Sequence, residues 1–142
     1  MPPPPWHFYI LSWAGAAWFA AMAADYLMLR YGLGPYLAAV SEAREGFVVL
    51  MPDWVAFSWA VAIWSGALGA VTFLFRTGFG PLLFGISLVA MVVAGIGMTL
   101  FSRPTLQTAV GWEGAGLSLL TIPVVLVLWL YARHLHKERV VD

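Results

Sequence analysis

The chain contains no cysteine among its 142 residues. Disulfides, thiolate metal sites, cysteine nucleophiles and cysteine-ligated iron–sulfur clusters are therefore excluded. Charge is also scarce, since Asp, Glu, Lys and Arg make up 10% of the chain against about 25% in soluble domains. The formal net charge is zero, so the sequence offers no strongly basic face and no nucleic-acid partner is predicted.

What is abundant is apolar surface. The chain is 62% hydrophobic and includes 8 Trp, 5 Tyr and 9 Phe. A soluble domain of this size cannot bury so much apolar surface, so the excess is expected to face lipid, with the aromatic residues suited to membrane interfaces. The length favours one integral membrane domain over residues 1–142.

Four apolar stretches are long enough to cross a bilayer. A hydrocarbon core about 30 Å thick needs roughly 20 apolar residues in a helix. The stretches are too long and too uniformly apolar for strands, and lipid forbids open sheet edges. The sequence predicts an all-α fold, a four-transmembrane-helix bundle with spans at about residues 6–29, 54–75, 81–101 and 116–132.

The segments between these spans predict their arrangement. Arg76–Pro81 is predicted to form a tight turn that makes the second and third helices antiparallel neighbours. Gly32–Pro35 is expected to end the first helix, and Asp53 to cap the second. The apolar flanks of residues 36–50 favour one or two short interfacial helices. A further interfacial helix is an option in residues 102–115.

Basic residues give an orientation. Positive charge favours the cytoplasmic side. The side with both termini has Arg76, Arg133, Lys137 and Arg139, and the other has Arg30, Arg44 and Arg103. We therefore predict that both termini are cytoplasmic.

Small residues recur every four positions in the first two spans. Between helices in lipid, close approach through small side chains is the main packing device. The repeats predict close packing within one chain, with a dimer seam as the alternative, and are Ser12, Ala16, Ala20, Ala24 and Ser58, Ala62, Gly66, Ala70.

Asp25 is the only carboxylate inside a predicted span. Such groups usually turn toward a partner or a cavity. Asp25 lies near the end of its helix, so it is either a proton or cation site or part of an interfacial ion pair with Arg30 or Arg103. Glu113 is predicted on the same side, which makes Asp25, Arg103 and Glu113 candidate binding residues.

Trp59 and Trp64 are the other candidate binding residues. They are five positions apart, about 140° around a helix, so they cannot form one stripe. Trp64 is predicted at mid-depth and opposite the small-residue repeat, which points it outward. A larger membrane protein, a quinone, a carotenoid or other pigment, or lipid would suit such a face; filling of the bundle is the alternative.

The sequence lacks a catalytic constellation. All three histidines, His7, His134 and His136, fall near the termini, where His7 is expected close to one of the others. There is no phosphate-binding glycine loop and no zinc spacing. We predict a protein without metal or cofactor, not an enzyme, that acts as an accessory or stabilising subunit of a larger membrane complex. The alternative is an oligomeric transporter of a small solute or lipophilic molecule; an enzyme acting on lipid or quinone comes third.

One part of the sequence resembles a known group. Met51–Trp54, then Trp59–Gly69 and Pro81–Leu88, are together similar to small bacterial four-helix inner-membrane proteins that are often catalogued as sugar-transporter-like. The resemblance covers about residues 20–100. It implies a bacterial inner-membrane location and carries no mechanism onto named residues.

Overall fold

The computed structural model describes residues 2–31, 42–103 and 105–139, without the side chains of residues 42–45, 110, 114, 117 and 118. Most of these residues are helical, and no strand occurs among them. The predicted all-α class is confirmed. The helices are α1 (Trp6–Arg30), α2 (Glu42–Leu50), α3 (Asp53–Leu74), α4 (Gly80–Ile96), α5 (Leu106–Leu119) and α6 (Thr121–Lys137).

Among the described residues, three helices are long and apolar enough to cross a membrane, namely Trp6–Arg30, Asp53–Leu74 and Gly80–Phe101, so the predicted bundle of four spans is not confirmed. The last of these helices is α4 continued by the π-helical turn Gly97–Phe101. With 22 residues or more each, all reach about 33 Å, which exceeds the hydrocarbon thickness. They match the first three predicted spans to within one residue at each end.

The fourth predicted span, residues 116–132, does not match one helix. Its first residues belong to α5, which ends at Leu119, and α6 starts at Thr121 and continues to Lys137. Pro123 accounts for the new start, because a proline is tolerated in the first turn of a helix, where its missing N–H is not needed. The prediction therefore began the helix too early and ended it too early.

The long links contain the remaining helices. α2 confirms a short helix between the first two spans, while the predicted helix end at Gly32–Pro35 and residues 36–41 lie outside the described residues. α5 occupies the other link and is broken at Gly111, where φ is 76°. Glycine adopts this left-handed conformation without the steric cost that a Cβ atom brings.

The turn between α3 and α4 is tight, as predicted. Arg76 has a φ of 59°, and the Thr77 N–H donates to the Thr72 carbonyl at 3.0 Å, a pattern that closes a helix end. Asp53 does not act as the N-cap. Pro52 takes that position without a side-chain cap, and Asp53 is the first residue of α3, where its charge favours the helix dipole.

The long helices pack around a common interior. α3 packs against α1 and α4, α4 packs against α6, and α6 approaches α1 less closely. At each contact a large side chain lies against a glycine: Phe19 against Gly66, Phe84 against Gly69, Trp129 against Gly85, and Leu128 against Gly15. The prediction that small residues pack within the chain is confirmed for Ala62, Gly66 and Ala70, which are buried.

The small-residue repeat of α1 is confirmed only in part. Ser12 is buried but Ala20 is exposed. The buried face of α1 instead passes through Phe8, Ser12, Gly15, Phe19, Ala23 and Leu29. Four residues turn 400°, so a strict four-residue repeat moves off the interface within a few turns. Phenylalanine side chains fill the space that the alanines leave.

The interior consists of two clusters. The terminal cluster lies toward both termini and contains Phe8, Phe19, Ala70, Phe73, Phe84, Val125, Leu128, Ala132 and Leu135. The link cluster contains Leu29, Phe47, Val48, Met51, Val55, Ala94, Met98, Leu106 and Ala115. Because α2 and α5 contribute side chains to the link cluster, these short helices cover the end of the molecule opposite the termini.

Candidate functional site

One side of α3 is exposed along its whole length. At about 100° per residue its members fall within about 60° of one another. This α3 outer face consists of Phe57 (72% exposed), Trp64 (41%), Leu68 (57%), Val71 (47%) and Phe75 (77%). Ala62, Gly66 and Ala70 lie on the opposite, buried side. Trp64 therefore points away from the small residues, as the helical periodicity predicts.

Tyr26 of α1 joins the two candidate tryptophans. Its ring lies 5.0 Å from the Trp59 ring at 74° and 6.4 Å from the Trp64 ring at 87°, and edge-to-face contacts of this kind are favourable. Trp59 is half-buried and packs on the link cluster. The two tryptophans thus belong to one aromatic group, which the periodicity of α3 alone did not predict because the bridging ring comes from another helix.

The Trp64 indole N–H has no hydrogen-bond partner among the residues that the structure describes. Trp18, at the middle of α1, donates from Nε1 to Thr121 Oγ1 at 3.2 Å. An unpaired donor in hydrocarbon costs free energy because no water is present to replace the missing bond. Trp64 therefore presents an aromatic ring and an unused donor on the outer surface of the helix.

The charged candidates are not joined to one another. Asp25 is half-buried near the end of α1, whereas Arg103, after the π-helical turn, and Glu113, after the Gly111 break, are exposed. The contacts of the described residues link neither Arg103 nor Glu113 to Asp25. Their assembly into a single binding site stays a prediction.

His7 lies beside Tyr131 of α6, and its expected closeness to His134 or His136 stays a prediction. Its Nδ1 lies 2.5 Å from the Tyr131 hydroxyl, while His134 and His136 are exposed. The contact joins the start of α1 to α6. Among the described residues, no group of three or more His, Asp or Glu side chains is placed to hold a metal ion.

A groove runs along α4 between α3 and α6, with a volume of about 980 Å³. At the end nearer the termini it is lined by Arg133, His136 and Lys137. The Arg133 guanidinium lies over the Trp129 ring, 4.9 Å from its centroid. Sequence reasoning missed this groove because three helices form it; the available signal was Gly85, beside which the Trp129 indole lies.

Comparisons with protein-family models, with curated proteins and with solved structures find no match to this chain.

Proposed function

We propose that the chain is a non-catalytic, multi-pass protein of the bacterial inner membrane that packs as an accessory or stabilising subunit beside a larger membrane protein. The observation that carries the proposal is Trp64, a mid-depth tryptophan on the α3 outer face with an exposed ring and an N–H without a partner among the described residues. The partner contacts this face. Trp59 packs against Tyr26, which in turn packs against Trp64.

The proposed topology has four membrane spans, with α6 as the fourth. Its 17 residues extend about 26 Å, slightly less than the hydrocarbon core. Arg133 and Lys137 lie in its last two turns, and long basic side chains reach the interface from such positions. This topology brings both termini to one side, which we assign to the cytoplasm from the distribution of basic residues.

A protein partner suits Trp64 better than lipid does. Lipid tails offer the indole N–H no acceptor, whereas a neighbouring helix can offer a hydroxyl or carbonyl oxygen. An aromatic neighbour adds about 0.5–1.5 kcal/mol per ring pair. A quinone or a pigment with a carbonyl group could satisfy the same face and is an alternative occupant.

Mild detergent extraction from the native membrane, followed by native mass measurement, tests the proposal. We expect a particle that contains this chain and at least one other polypeptide. Trp64→Ala should lower the recovery of the other polypeptide. Trp13→Ala should not, because Trp13 is an exposed tryptophan of α1 (66%) outside the α3 outer face. A stable particle of this chain alone would contradict the proposal.

A second candidate is an oligomeric transporter of a small solute or a lipophilic molecule. It is favoured by the π-helical turn Gly97–Phe101 and the break at Gly111, because transporter sites tend to form at irregular helix segments. Uptake into liposomes by the purified protein is the test. Asp25→Asn should reduce uptake if this carboxylate is coupled to transport, and the absence of uptake by the unaltered protein would remove this candidate.

A further inference from the structure

We infer that the groove along α4 binds an anionic phospholipid of the leaflet on the side of the termini, with the headgroup at Arg133 and Lys137 and an acyl chain along α4. The inference uses the membrane topology proposed above but not the accessory role. The groove and the α3 outer face meet only at Phe57.

The floor of the groove is apolar and accessible from the lipid. It is formed by α4 side chains that are exposed: Leu82 (61%), Ile86 (42%), Val89 (65%) and Val93 (40%). Phe57 and Val61 of α3 line one part of the groove and Trp129 of α6 another. A lipid tail can therefore enter laterally, without any opening of the helix contacts.

The length of the groove fits one leaflet. It extends along α4 from Pro81 to Val93, about 18 Å at 1.5 Å per residue. Half of the hydrocarbon core is about 15 Å. The volume of about 980 Å³ lies at the upper end of the 300–1,000 Å³ that is usual for small-molecule sites, so an acyl chain fits along its whole length.

The charge at one end of the groove selects the headgroup. Trp129, Arg133 and Lys137 follow one another at four-residue spacing and so lie on one face of α6, and all three line the groove. The contact of Arg133 with the Trp129 ring holds the guanidinium near the mouth. No carboxylate is among the described residues that line the groove, so the mouth is positive and complements a phosphate rather than a basic group.

The groove has one charged end and one apolar end, as a phospholipid does. The positive side chains lie at the interface end, and the deeper lining is apolar except for Ser58. A transmembrane helix of a partner would leave the basic side chains without a complementary charge. A free phosphate would leave the apolar floor uncovered. An anionic phospholipid is the occupant that uses both parts.

Native mass measurement of the purified full-length chain with defined lipids tests the inference. The protein is titrated with phosphatidylglycerol or with phosphatidylcholine of identical acyl chains. We expect roughly thirtyfold preferential retention of the anionic lipid, the scale of effect that two basic side chains have at a membrane surface. Equal retention of the two lipids would overturn the inference.

Two pairs of variants locate the site. Arg133→Gln with Lys137→Gln should abolish the preference, whereas Arg30→Gln with Arg44→Gln, which removes the same charge on the side away from the termini, should preserve it. Val89→Trp should reduce retention of both lipids by filling the floor, while Leu130→Trp, at an exposed position of α6 outside the groove, should not. Thermal unfolding confirms that each variant is folded.

The reverse pattern would contradict the inference. A preference that survives loss of Arg133 and Lys137, or that is lost with Arg30 and Arg44, assigns the lipid to another surface. Retention that Val89→Trp leaves unchanged shows that the groove is not the site. Because no partner polypeptide is present in this experiment, its failure would leave the proposed accessory role unaffected.

Discussion

Trp18 and Trp64 each lie at the middle of a membrane-length helix, but in two different regions of the molecule. Trp18 lies at the contact between α1 and α6, where its indole donates to Thr121 and its ring packs on the terminal cluster. Trp64 lies on the α3 outer face, where its ring touches Tyr26 and its N–H has no partner among the described residues. The first tryptophan therefore serves the fold of this chain, whereas the second is the one for which we propose a contact with another molecule.

The largest loss of stability is expected from a larger side chain on the buried side of α3. A Cβ atom at Gly66 would lie 2.0 Å from the ring of Phe19, which is fully buried, so the ring or its neighbours must shift. Gly66→Ala should therefore destabilise the protein by about 1–3 kcal/mol. Unfolding in mixed micelles measures the change.

Gly116→Ala is the matched control, because nothing lies within 4 Å of a Cβ atom there. It should leave stability unchanged or raise it slightly, since alanine favours a helix over glycine. Equal stability of the Gly66→Ala and unaltered proteins would show that Phe19 does not pack against α3 as described.

The next largest change in stability is expected from substitution of Trp18, with Trp64 as the comparison. Trp18→Phe removes the bond to Thr121 and leaves the buried Thr121 hydroxyl with only its 3.6 Å contact to the Met22 sulfur. We expect a loss of about 1–2 kcal/mol from the hydrogen bond and the reduced packing. Trp64→Phe should leave the stability of the isolated chain unchanged, and thermal unfolding of both purified variants makes the comparison. A larger loss from Trp64→Phe would reverse the assignment of the two regions.

The smallest change in stability is expected from substitution of two buried serines. Ser87 Oγ donates to the Ala62 carbonyl at 2.6 Å and so links α4 to α3, whereas the Ser12 hydroxyl has no partner in the described structure. Ser87→Ala should cost about 0.6 kcal/mol, the average for such bonds in membrane proteins. Ser12→Ala should be neutral or stabilising, because it removes an unsatisfied group. Equal losses from the two variants, measured by unfolding in micelles, would contradict the described bonding.

The sequence predicted best what depends on local composition. Three membrane-length helices, the Arg76–Pro81 turn and the outward direction of Trp64 follow from apolar length, turn residues and the 100° helical step. The start of α6 was predicted less well, because apolar composition is continuous across Leu119–Thr121 and only Pro123 marks the boundary.

The contacts between helices could not be predicted from the sequence. Tyr26 between Trp59 and Trp64, Tyr131 beside His7, and the α4 groove all depend on which helices are neighbours and at what register. A single sequence gives the face of each helix but not the residue opposite it. The sequence therefore predicted that the Trp64 side chain points outward, but it did not predict which residues surround that side chain.

Photo-crosslinking in the native membrane tests the central claim most directly. A benzophenone amino acid is placed at position 64 and, as the lipid-exposed comparison, at position 13, and membranes are irradiated before extraction. We predict a discrete crosslink from position 64 to another polypeptide and none of equal yield from position 13. Crosslinks from position 64 to lipid alone, at the yield found at position 13, would contradict the assignment of Trp64 to an intermolecular contact.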